Sequence, residues 1–432
     1  MYGAAVPSSP PPRPLSLLDA VGFGINGIVG SGIYLLVAPL ARAGGASSVF
    51  GVLACGLLCV LIALCFAELS SMYDRSGGPY VYARDAFGPY VGFGVGWLGM
   101  ATGVLGLAAV ASGFAGALGR FLPGAADFRA PIAVGLIVAL GLVNYLGVRA
   151  GARTSTALSL VKTAPLVLLG LAGLRFAPAA HLSFEPGGVV RSAFLSIFMM
   201  SGFEYAAVPA GEIKDARRSV PVAVVSSIAG ASLLYALVQL AGLATLADLG
   251  AHEQPIPDIA ARVFGPLGAP LLGGTAVLSM LGFCAGVALV APRYFTALAE
   301  DGHLPRALLR RSRFQTPGAA ILASTAFAGG LAVVLGYASL VDVSNVVILS
   351  GYALTALAAL VLRVRRPDAP RRVRLPFGPL LPSLACAGAV ALLLSARPGL
   401  AEWKFSGVLL ALGFAAWGAT ALVRRAGRDG QA

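Results

Sequence analysis

Long apolar runs separated by short charged segments set the pattern of this chain. Twelve runs come close to or exceed the roughly 20 residues that cross a bilayer as a helix. They lie near 17–41, 47–70, 89–118, 131–148, 155–174, 190–211, 221–243, 269–297, 317–338, 342–362, 380–396 and 404–423. The ninth and tenth are the most closely spaced, with only Ser339 to Asp342 between them. Two runs are interrupted from within. The first contains GIVGSGIY at 27–34, and the sixth, FMMSGFEYAAVPAGE, contains Ser201-Gly202, Glu204, Pro209 and Gly211. Single glycines serve close packing in membrane helices, but Gly-x-x-Gly-Ser-Gly is denser than packing needs. The cluster predicts backbone that leaves the helix, which is tolerated at membrane depth only where it lines a cavity or is covered by protein.

Each interrupted run opens a set of five. Paired interruptions in two halves of a chain point to a transporter site at the interface of inverted repeats. Half-helix N-termini offer unpaired N–H groups to an anion, and half-helix C-termini offer carbonyls to a cation. A zwitterion suits both ends at once. Nothing in this pattern specifies its side chain.

Composition agrees with the span pattern. The chain of 432 residues is 58% apolar and 11% charged, with a mean hydropathy of +0.85. Soluble domains carry roughly 25% charged residues, and no polar stretch here is long enough to form one. The net charge of +13 raises nucleic acid as a partner, but the arginines sit in the segments between spans. With the N-terminus placed inside, 22 Lys and Arg fall on the inner side and eight on the outer, and Lys162 lies within a span. That bias follows the positive-inside rule and supports both the count and the orientation. The expectation is a multi-pass protein of the cytoplasmic membrane with both termini cytoplasmic, preceded by a short disordered tail over 1–14. Cys55, Cys59, Cys65, Cys284 and Cys386 lie in apolar runs without metal-ligand spacing and read as packing residues. No metal or cofactor is implied.

Two ionisable residues fall within spans, where such groups are costly and point to function. Glu204 follows the Ser-Gly break of the sixth run and suits either coupling or the capping of freed backbone N–H groups. Lys162, in ALSLVKTAPLVLLG, lies about one-third of the way into the fifth run. It could snorkel to an interface or serve as a buried cation. His181, His252 and His303 lie in loops, so no histidine relay crosses the membrane. Asp342 is expected in a solvated outer loop. Trp97, Tyr235 and Phe283 either wall a cavity or pack.

Four segments resemble the amino acid–polyamine–organocation permeases. GFGINGIVGSGIY resembles their first-helix signature, and SGFEYAAVPAGEIKDARRSVPVAV their sixth-helix segment and the loop after it. CFAELSSMYDRSGGPYVYARDAFGP resembles the loop after the second helix, and APRYFTALAEDGHLP the end of the eighth. The resemblance implies an all-α, LeuT-like fold of twelve transmembrane helices. These form two inverted five-helix repeats, 15–174 and 190–362, plus two further helices over 380–423, with helices one and six discontinuous. It also implies amino acid transport without enzymatic chemistry. The substrate carboxylate would lie on the backbone of Val29, Gly30, Ser31 and Gly32, with the Ser31 hydroxyl as a donor. The ammonium would face carbonyls near Ile28, Phe198 and Ser201, beside Gly202, with Phe198 as an aromatic lid. Lys162 would take the place of a cation between helices one and eight, making transport sodium-independent.

Expected partners are an amino acid, possible coupling protons and membrane lipids, the protein being a monomer or homodimer. The walls expected from spans three, eight and ten are mostly Gly, Ala, Val and Leu, which suits small or neutral side chains. GSGIYLL resembles the first helix of arginine/agmatine exchangers, so a basic amino acid or polyamine antiporter is the alternative. Against it, Val287 stands where a stacking tryptophan would be expected. An enzyme would show paired carboxylates or metal-spaced ligands, and a channel a polar pore repeated along several spans. Neither pattern is present.

Overall fold

The computed structural model describes residues 16–73, 78–122, 124–147, 152–179, 183–204 and 213–429. The expected tail over 1–14, His181, and Pro209 with Gly211 lie outside these residues. The described chain is helical almost throughout. The first run becomes three pieces, α1 (Leu17–Ile28), α2 (Gly32–Leu35) and α3 (Val37–Gly44). Next come α4 (Ser48–Ser70), a short α5 (Pro79–Phe87), α6 (Pro89–Leu118), α7 (Arg129–Tyr145), α8 (Ala152–Gly173) and α9 (Pro186–Met200). The second half contains α10 (Ala216–Thr245), a short α11 (Pro255–Phe264), α12 (Gly268–Glu300), α13 (Gly318–Val334), α14 (Tyr337–Arg365), α15 (Leu380–Ser395) and α16 (Leu400–Asp429). Among the described residues, seven helices are long and apolar enough to cross a membrane. Four further apolar helices, α7, α9, α13 and α15, have 15 to 17 residues.

Local chemistry sets the boundaries. Ser16 and Asp19 form a reciprocal capping box at the head of α1, with Asp19 N donating to Ser16 Oγ (3.3 Å) and Ser16 N to Asp19 Oδ2 (2.9 Å). Gly88, at φ +91°, ends α5, and Pro89 starts α6 directly after it. The ninth and tenth runs separate at Leu335–Gly336, earlier than the expected Ser339–Asp342 break. Asp342 is therefore half-buried inside α14 and not in a loop. The sequence pattern had treated 335–338 as apolar span; the extended backbone at Leu335 and Gly336 ends one helix before Tyr337 begins the next.

The interrupted segments sit at the centre. α1 packs on α8, α10 and α12, while α9 packs on α3, α4 and α14. Small residues permit these approaches: Gly51 faces Ser192 and Val189, and Gly56 faces Ser232. α5 is strapped across the ends of two long helices. Tyr80 and Arg84 both donate to Asp301 after α12, and Asp85 accepts from Tyr73 (3.0 Å) and Arg366 (2.9 Å). Glu68, at the end of α4 and 1% exposed, accepts from Arg363 Nε (2.8 Å) and Leu375 N (3.0 Å). Arg371 lies 3.4 Å from the same carboxylate.

Candidate functional site

The first break begins where α1 stops at Ile28. Gly30 N turns back to Ile28 O at 2.9 Å and does not reach Asn26 O, its partner in a continuing helix. The carbonyl of Asn26 is thereby freed. α2 starts at Gly32, and its leading amides, those of Ser31, Gly32 and Ile33, have no preceding helical carbonyl to bond. The second break begins where α9 stops at Met200. Ser201 is extended (ψ 161°), and Gly202 has φ +111°. A Cβ at Gly202 would collide with the Gly27 carbonyl, and one at Gly32 with Met199. Glycine is thus required where the two breaks touch.

Ile28, Gly30, Ser31 and Gly32 from the first break meet Phe198 and Ser201 from the second around one pocket. Its remaining walls are Thr102, Gly106 and Val110 of α6, Phe283 of α12, and Ser344 and Ile348 of α14. No charged side chain is among them. The cavity volume is about 10 Å³, room for about one water molecule, so the walls close tightly around the two breaks. The Phe283 ring covers Gly30, where an added Cβ would lie 2.9 Å from it. Ser31 Oγ lies 3.3 Å from Tyr337 Oη, and the Tyr337 ring meets Phe198 edge-on. The Ile28 carbonyl accepts from Tyr235 OH (3.1 Å), and the Phe198 carbonyl from Ser201 Oγ (2.9 Å).

Of the residues singled out from sequence, Val29 and Gly202 do not line this pocket. Gly202 supports it from behind, through its contact with Gly27. The Val29 carbonyl turns to a second cluster, where it accepts from Lys162 Nζ and from Ser279 Oγ (3.0 Å). Lys162 Nζ also donates to Asn26 Oδ1 (2.6 Å) and Asn26 O (3.1 Å). Lys162 is 1% exposed, so it does not snorkel.

Glu204 borders a neighbouring chamber with Phe66, Tyr294, Tyr352 and Thr355. Thr102 and Ile348 border both spaces. Glu204 Oε2 accepts from Gly202 N (2.9 Å) and Tyr352 OH (2.8 Å). Trp97 belongs to neither chamber. Its Nε1 donates to Leu409 O (2.8 Å), fastening α6 to α16. Val287 is buried but is not in the pocket wall, where Phe283 supplies the aromatic from α12.

Sequence reasoning missed Thr102, Ser279, Tyr337, Ser344 and Asn26. Tyr337 had been read as the end of an apolar run. Hydroxyl residues in apolar helices are too common to stand out without knowledge of which face they occupy.

A profile described as amino acid permease matches residues 15–415. A methylthioribose transporter of Bacillus subtilis (strain 168) is 26% identical over 418 residues, covering 91% of this chain and 90% of the relative. A branched-chain amino acid permease of the same organism is 26% identical over 403 residues, covering 86% of each. In fold, the chain is similar to the crystal structure of MhsT in complex with L-phenylalanine. The TM-score is 0.63 and the identity 16%, with 88% of this chain and 98% of that one covered.

Proposed function

This chain belongs to the amino acid permease family, and we propose that it moves small or neutral L-amino acids across the cytoplasmic membrane by sodium-independent secondary transport. Coupling is by proton symport or by exchange. One observation carries the reading: two broken helices meet over a small pocket without charged walls, with free amides on one side and carbonyl-bearing helix ends on the other. The amides of Ser31 and Gly32, with Ser31 Oγ, take the carboxylate. The carbonyls of Ile28, Phe198 and Ser201 take the ammonium; a carbonyl that already accepts one bond keeps a second lone pair.

Lys162 stands where a bound cation would hold the unwound segment, and Glu204 couples the two breaks. The twelve-span plan, with repeats over 15–174 and 190–362, two helices over 380–423 and both termini cytoplasmic, belongs to the same reading. It is supported by the charge bias between spans and by the paired breaks in α1–α2 and after α9.

A second reading draws on the adjoining chamber. A long basic side chain passing Thr102 and Ile348 would approach Glu204, as an arginine/agmatine-type or polyamine exchanger requires. The Gly202 and Tyr352 bonds already held by that carboxylate favour the neutral substrate.

Proteoliposomes loaded with each of the twenty amino acids in turn provide the test. Labelled counter-flow, with sodium or choline outside and with or without a proton gradient, should show saturable transport of small neutral amino acids that ignores sodium. Arginine or agmatine counter-flow alone would select the second reading, and a strict sodium requirement would remove the role of Lys162.

A further inference from the structure

The pocket contains four hydroxyl side chains, and three are engaged. Ser201 Oγ donates to Phe198 O (2.9 Å), Ser344 Oγ to Leu340 O (2.6 Å), and Ser31 Oγ pairs with Tyr337 Oη. The fourth, Thr102, is given no partner by the described residues. This is unusual for its setting. A serine or threonine in an apolar helix ordinarily returns its hydroxyl to a carbonyl three or four residues back. Ser112, in the same helix, does so with Ala108 O at 2.9 Å, and Thr355 of α14 does so with Gly351 O at 2.8 Å. Thr102 is 8% exposed and borders the pocket.

Its place gives the free hydroxyl a direction of use. Thr102, Gly106 and Val110 recur every four residues and form one stripe of α6 along the pocket. Gly106 and Val110 offer only apolar surface. The breaks in the first and sixth segments lie across from this stripe, so a molecule held there by its carboxylate and ammonium extends its side chain toward α6 and α14. At that end lie Thr102 and Ile348, which also border the chamber of Glu204. The side chain thus ends beside one unspent hydroxyl and one isoleucine, in a space too small for a long chain.

We propose that the Thr102 hydroxyl hydrogen-bonds a hydroxyl on the substrate side chain, making serine and threonine preferred substrates over their hydroxyl-free isosteres. The inference rests on the reading of this pocket as the amino acid site. A buried hydroxyl left unpaired disfavours the isostere as much as the bond favours the hydroxyl substrate.

The test uses the full-length protein in proteoliposomes. Counter-flow of a labelled transported amino acid is inhibited with L-threonine against L-valine, and with L-serine against L-2-aminobutyrate. In the native protein each hydroxyl member should inhibit roughly tenfold more strongly than its isostere. In Thr102→Val both ratios should fall to near one, whatever the absolute rate, and Thr102→Ser should restore them. Thr102→Ala supplies the same reading if the valine variant is not monodisperse after purification. Ratios near one in the native protein, or ratios unchanged in the valine or alanine variant, would overturn the role of Thr102 and leave amino acid transport standing. Absence of counter-flow with any amino acid would overturn the transport reading itself, and this inference with it.

Discussion

Lys162 Nζ lies 2.6 Å from the side-chain oxygen of Asn26, and both residues are buried, at 1% and 3% exposure. Three acceptors surround this amine: Asn26 Oδ1, Asn26 O and Val29 O. Two of them are main-chain oxygens at the point where α1 unwinds. Asn26 Nδ2 donates to Gly282 O (3.0 Å), which turns the amide oxygen toward the lysine. Ser279 reaches Val29 O and Gly30 O from the same helix as Gly282. The break in the first segment is thus held from α8 by the Lys162 amine and from α12 by the Ser279 hydroxyl.

Removing that amine should release the break. Lys162→Ala should lose at least about tenfold in transport rate, since three hydrogen bonds, each worth about 0.5–1.5 kcal/mol, vanish together. The native protein should transport equally well in sodium and in choline. Initial rates in proteoliposomes across pH check both statements; a variant with an unaltered rate and pH profile would remove Lys162 from the mechanism.

Gly30→Val should abolish ligand binding in a protein that still inserts and purifies. The new side chain would begin 2.9 Å from the Phe283 ring, and both residues line the pocket. Ligand affinity measured on the detergent-solubilised protein should fall at least about tenfold, the cost of roughly 1.4 kcal/mol of lost complementarity. Native affinity in a well-folded variant would contradict the placement of the ligand.

Glu204 spans a joint: one oxygen accepts from Gly202 in the second break and from Tyr352 on α14. Glu204→Gln keeps the shape but weakens both bonds, because a neutral amide oxygen accepts less strongly than a carboxylate. Turnover should slow more than binding weakens, and Tyr352→Phe should show a milder form of the same split. Paired measurements of ligand binding and steady-state exchange decide it, and equal losses in both would point to simple damage to the chamber.

Asn345 lies next to the pocket residue Ser344, fully buried, and among the described residues neither its Oδ1 nor its Nδ2 has a hydrogen-bond partner. Such unmet groups cost about 1–3 kcal/mol each. Asn345→Leu, close in volume and free of polar atoms, should raise the thermal midpoint of the purified protein by a few degrees. A lowered midpoint in a thermal unfolding scan would mean the amide is satisfied within the folded protein.

Much of this organisation is legible along the chain. Membrane helices must satisfy their own backbone groups, so spans appear as long apolar runs, and GIVGSGIY and Ser201-Gly202 stand out as places where helix is given up. Ser31 and Gly32 were reachable by the same route, because they lie in the first break itself, whereas Phe198, inside α9, was expected only from the family resemblance. Lys162 was visible as an isolated charge, although its two readings, snorkelling or buried, differ only in which way α8 faces.

What the sequence by itself determined is therefore one-dimensional: which segments enter the membrane, which side the arginines favour, and where helices break. The tertiary structure decided the rest. It set Thr102 against the pocket, without a hydrogen-bond partner among the described residues, while Ser344 turned back on its own helix. It brought Tyr337 to Ser31, took Trp97 away to α16, and assigned Val29 to the lysine instead of the pocket. The physical reason is that a helix fully surrounded by lipid and protein carries apolar residues on every face. Its sequence then holds no periodic signal of which face meets the substrate, and that choice is made only when neighbouring helices pack around the two breaks.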